Sequence, residues 1–88
     1  MKPACIVKDR TGVYFSVPKE NIKTVNGFDA FHVSSDVVVK HMGDLDDMDA
    51  KGKKMNAIVC ADGAAPEIRR VNSFIIEIGG DSLILLER

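Results

Sequence analysis

The chain has 88 residues, 45% of them apolar, and a formal net charge of −1 from 12 Lys+Arg against 13 Asp+Glu. That is one globular domain's worth of chain, too short for two and too apolar to be disordered. The charge balance excludes long-range attraction to phosphate backbones or anionic lipid, leaving only a local basic patch for polyanion contact.

Aromatics make up 6% of the chain, with no Trp, so a core must rest mainly on Val, Ile, Leu and Met. The first residues, Met1-Lys2-Pro3-Ala4-Cys5, lack the apolar stretch of a signal peptide. No apolar run approaches the ~18 residues of a membrane span. The expectation is a soluble, cytoplasmic protein with no membrane partner.

Residues 4–8 form a short apolar run. Asp9-Arg10-Thr11-Gly12 carries turn chemistry, and residues 13–17 are β-branched and aromatic. Together they predict a hairpin, which Pro18 stops because it cannot donate to a ladder. Residues 22–25 read as a short extended or helical piece. Asn26-Gly27 is the strongest turn signal in the chain, since both residues tolerate positive φ. Residues 28–33, the polar Ser34-Ser35-Asp36 and Val37-Val38-Val39-Lys40-His41 predict a second hairpin.

Residues 42–56 differ in kind. Asp44, Asp46, Asp47 and Asp49 precede Lys51, Lys53 and Lys54, an order that suits the helix macrodipole. A short helix and a mobile loop both fit, because Gly52 weakens any longer helix. Residues 56–61 return to strand character, and Asp62-Gly63-Ala64-Ala65-Pro66 is a loop. In residues 67–78, Ile68, Val71, Ile75 and Ile78 fit helical spacing, whereas Phe74, Ile76 and Ile78 alternate as a strand does. The density of Val and Ile favours a strand over 73–78. Gly79-Gly80-Asp81-Ser82 then turns the chain into residues 83–86 to complete a third hairpin.

Two stretches match in order. Ile22-Lys23-Thr24-Val25-Asn26-Gly27-Phe28 parallels Ile68-Arg69-Arg70-Val71-Asn72-Ser73-Phe74. Their neighbours suggest internal repeats over 4–41 and 56–87, joined by the acidic and basic segment 42–55. The expected fold is mainly β, with α+β as the variant: six to eight short strands forming a small barrel or sandwich, with one or two short helices.

No constellation of catalytic, cofactor-binding or metal-binding residues emerges. Cys5 and Cys60 lie in apolar stretches without partners at metal spacing, and read as buried free thiols. The acidic run fails the EF-hand pattern and reads as a solvated helix start or loop. His32 and His41 lack a third ligand. Gly79-Gly80 and Asp62-Gly63 lie in no phosphate-loop context. Lys51, Lys53, Lys54, Arg69 and Arg70 are the candidate polyanion contacts. Residues 25–31 resemble the Gly-Phe-Asp-x-Phe turn of Sm-like RNA-binding barrels, but the Ile-Arg-Gly-type second signature of that family is absent, and no site is carried across.

The function expected is a non-enzymatic binding or assembly module that forms a homo-oligomer. Strands such as 37–39 and 83–86 are apolar on both faces, and such strands want two partners. The alternatives are a small nucleic-acid-binding barrel using the Lys/Arg patch, and a small hydrolase pairing His32 or His41 with Cys5, Cys60 or an Asp.

Overall fold

A computed structural model of the chain describes residues 2–88. It is mainly β, with seven strands and two short α-helices. β1 (Cys5–Asp9) and β2 (Gly12–Pro18) form the first hairpin, in the expected place, with Cys5 opposite Ser16 and Asp9 opposite Gly12. A 3₁₀ turn at Lys19–Asn21 follows. β3 (Lys23–Val25) and β4 (Phe28–Ser34) pair around Asn26 (φ 51°) and Gly27 (φ 81°), the left-handed geometry that Asn-Gly supplies.

The chain departs from expectation after Ser34. Val37-Val38-Val39 is not a strand. It lies in α1 (Ser35–Lys40), followed by α2 (Met42–Ala50). β4 already pairs with β3 on one edge and β7 on the other, so no edge remains for a returning strand. Burial of Val38 in the core then overrides the β-propensity of the three valines. In the acidic segment the helix holds, not the mobile loop.

β5 (Asn56–Cys60), β6 (Glu67–Ile75) and β7 (Asp81–Leu86) complete the sheet; β6 with β7 is the expected third hairpin, but its first strand runs over 67–75 rather than 73–78 and the turn takes in residues 76–80. The strand order is β1-β2-β5-β6-β7-β4-β3, antiparallel throughout except for the β2–β5 pair. β6 serves both halves. Its first residues pair with β5 and its last with β7, and the register shifts between Val71 and Ser73. The extra residue, Asn72, is a bulge that bends the strand.

The sheet curls. Phe15 on β2 and Phe31 on β4 are four strand steps apart, which would separate them by ~19 Å in a flat sheet. Their rings instead meet edge-on at 5.3 Å, with Phe74 5.7 Å from Phe15. The inward row of every central strand thus converges on one core: Val13, Phe15, Val17, Ala57, Val59, Val71, Ile84, Leu86, Phe31 and Val33. Val38 of α1 and Leu45 and Met48 of α2 pack against the same core. Both helices therefore sit on the inner side. The edges β1 and β3 do not pair, so the curl stays open.

The two matched heptads differ in backbone. Asn26 reverses the chain in a hairpin, whereas Asn72 bends a continuing strand. Val37–Val39 is helical where its counterpart at 83–85 is strand.

Candidate functional site

Period-two alternation fixes what the outer face of the sheet carries, because directly paired residues share a face. Cys5 faces Ser16, Ser16 faces Ile58, and Ile58 faces Ile68. One transverse row therefore crosses four strands with a single polar member. Val7 beside Tyr14 and Pro18 beside Cys60 flank it. In the other half of the sheet, Leu83 pairs with His32 and Ile75, and Leu85 with Ala30 and Ser73. Ile68 is 69% exposed and Ile75 49%. The inner face is filled by the core and both helices, so this outer face, apart from the buried Ala30, is the side that the chain leaves uncovered.

Cys5 and Cys60 are exposed free thiols, a correction to the reading that buried them. Their register explains it: both alternate outward, opposite Ser16 and Pro18. They line one groove of about 920 Å3 with Lys2, Lys19, Glu20 and Asp62. β2 stands between them. Two strand steps and a two-residue offset place their Cα atoms ~12 Å apart, beyond the ~7 Å reach of a disulfide.

The five basic residues do not form one patch. Consecutive residues of a strand point to opposite faces, so Arg69 turns inward and Arg70 outward. Arg69 Nη1 donates to Asp29 Oδ2 at 2.6 Å, and Nη2 donates to the Glu87 carbonyl at 2.9 Å. Lys54 pairs with Glu87 at 3.1 Å and Lys51 with Asp47 at 3.0 Å. Among the described residues Lys53 and Arg70 have no ion-pair partner.

His32 is exposed on β4, and His41 Nδ1 lies 3.0 Å from the Val37 carbonyl. Among the described residues no hydrogen bond joins either histidine to a thiol or a carboxylate, and no group of three His, Cys, Asp or Glu is placed to hold a metal ion. Asp44 of the acidic run instead pairs with Lys8 at 3.0 Å. Asp9 accepts from the Thr11 hydroxyl at 2.7 Å and the Thr11 amide at 2.8 Å, and these donors hold its carboxyl below the ordinary range. That is turn chemistry at the β1–β2 corner rather than a site.

A smaller pocket of about 240 Å3 opens beneath α2, floored by Leu45, Met48, Met55, Val71 and Phe74. Sequence reasoning missed both it and the outer row. Pocket and row are built from residues that read individually as core, and only the register reveals which of them the core leaves out. No helix is long and apolar enough to cross a membrane among the described residues. Comparison with protein-family models, with curated proteins and with solved structures finds no match for this chain.

Proposed function

We propose that the chain is a non-enzymatic assembly module that self-associates through the outer face of its curled sheet. The observation that carries this reading is Ile68. It stands in a regular part of β6, beside Ile58, and is 69% exposed. A sheet with one face on a core ordinarily carries polar residues on the other, and this one carries Cys5, Ile58 and Ile68 in one row and Leu83 and Ile75 in another. Exposed apolar area of this kind costs about 25 cal/mol per Å2 left in water. A second copy related by a twofold axis presents the same row, so one surface serves both partners.

The polyanion reading has less support. Three of its five cations are engaged by Asp47, Glu87 and Asp29. It predicts binding to single-stranded RNA or DNA that falls steeply with salt.

Light scattering over micromolar to near-millimolar concentration tests the assembly reading. The mass should rise above that of one chain. A single-chain mass throughout that range sinks it.

A further inference from the structure

The loop between β6 and β7, residues 76–80, holds out an apolar knob. Ile78 is 99% exposed at its tip, and Ile75 and Ile76 beside it are exposed as well. A lone exposed isoleucine on a slack loop would be unremarked. This loop is fixed at both ends. The Ser35 amide donates to the Gly80 carbonyl at 3.0 Å, and the Ser35 hydroxyl donates to the Glu77 carbonyl, backed by Ser82 Oγ at 2.7 Å. Ile78 is therefore presented in a set position, with the carboxylates of Glu77 and Asp81 on either side in sequence.

The pocket beneath α2 has the complementary character. Its floor is aliphatic, thioether and aromatic. Its volume of about 240 Å3 falls below the ~300–1,000 Å3 typical of small-molecule sites. That size suits one branched side chain, and methionines reshape readily around such a guest. Its rim carries Lys53 and Lys54, with Asp49 as the single acid. Lys54 is occupied by Glu87, while Lys53 has no ion-pair partner among the described residues.

We infer that Ile78 of one copy docks into the Met48–Phe74 pocket of a second copy, with Glu77 meeting Lys53. Apolar knob fits apolar hole, and Glu77 of the acidic collar meets Lys53, the rim cation without an ion-pair partner among the described residues. The contact is heterologous, since knob and hole are different surfaces. Each docked pair keeps one free knob and one free hole, so copies add head to tail into a ring or an open chain. This goes beyond the outer-face contact, and of that contact's row residues only Ile75 stands beside the knob.

The two contacts are separated in an Ile68→Lys background, which sets a charge in the outer-face row that carries the assembly reading. Sedimentation velocity across concentration is run on that parent and on its Ile78→Asp, Lys53→Glu, Glu77→Lys and paired Glu77→Lys/Lys53→Glu derivatives. Ile78 touches solvent only, so thermal unfolding of its variant should match the parent and serves as the folding control. The parent should still associate. Ile78→Asp should raise the concentration needed by roughly tenfold or more. Each single charge reversal should weaken association, and the pair should restore it. A parent that is strictly monomeric, an Ile78→Asp protein that associates as the parent does, or a paired reversal no better than its singles overturns the inference. If Ile68→Lys changes nothing while Ile78→Asp abolishes association, the knob stands and the outer-face contact falls.

Discussion

Arg69 and Asp29 are held 2.6 Å apart although their strands, β6 and β4, do not pair; β7 lies between them. The guanidinium reaches along the inner side of the curl and also donates to the Glu87 carbonyl just beyond β7. One side chain thus ties three successive strands at the same end of the sheet, where the aromatic contact of Phe15 with Phe31 ties the middle.

Replacing Arg69 with Ala should destabilise the fold by about 1–2 kcal/mol, the range for hydrogen bonds to a charged group reduced for partial exposure. Arg69→Lys should recover only part of this, because an ammonium cannot span the carboxylate and the carbonyl as a planar fork does. Chemical denaturation of the two variants measures both. Equal stability of Arg69→Ala and wild type would rule the tie out.

Two glycines should respond in opposite directions. Gly27 sits at φ 81°, and a Cβ there would lie 2.7 Å from the Arg88 guanidinium. Gly27→Ala should cost about 1 kcal/mol or more through backbone strain. Gly43, in the first turn of α2, has ordinary φ and open space around it, so Gly43→Ala should stabilise by about 0.5 kcal/mol. Midpoints of thermal unfolding give the signs directly.

The Ser35–Ser82 pair predicts an order of effects. Ser35 donates to the Glu77 carbonyl and stands 2.7 Å from Ser82 Oγ, both serines being buried. Ser35→Ala strands the buried Ser82 hydroxyl and the part-buried Glu77 carbonyl and should cost roughly 1–3 kcal/mol, while Ser82→Ala leaves the Glu77 contact intact and should cost about 1 kcal/mol. The double variant should cost less than the sum. Amide exchange in residues 76–80 should accelerate in the Ser35 variant. The reverse order of stabilities would contradict this assignment.

Asp9 supplies a pH dependence. The Thr11 hydroxyl, then the Thr11 amide, lower its carboxyl in the folded state. A folded pKa below the unfolded one gives stability that is fully present above the ordinary carboxylate pKa. That stability is lost as pH falls through the depressed folded value. Thr11→Val removes the strongest donor, so the Asp9 carboxyl should titrate at higher pH in an NMR titration. An unmoved titration would place the cause elsewhere.

Much of this fold is readable from sequence because local chemistry and tertiary packing agree. Asp9 to Gly12 and Asn26-Gly27 mark turns whose backbone demands those residues. Val37–Val39 misleads because β-branched residues favour strands, while only the occupied edges of β4 exclude one there. The helical look of Ile68, Val71, Ile75 and Ile78 is a coincidence of spacing: Val71 faces the core, Ile68 and Ile75 face outward on either side of the bulge at Asn72, and Ile78 lies in the loop. Cys5 and Cys60 read as core because a single register step decides between inside and outside. The basic residues read as a patch because their acidic partners, Asp29 and Glu87, are remote in sequence. The knob at Ile78 is invisible for the converse reason: an isoleucine carries no local mark of being excluded from a core.

The self-association of Ile68→Lys compared with wild type tests the central claim most directly. Ile68 projects from an otherwise paired strand and makes no part of the core, so the charge should leave folding intact. Sedimentation equilibrium on the two proteins at matched concentrations should show wild type associating, with the variant's association weakened by roughly tenfold or more. Identical association of wild type and variant, both equally folded, would contradict assembly through the outer face of the sheet.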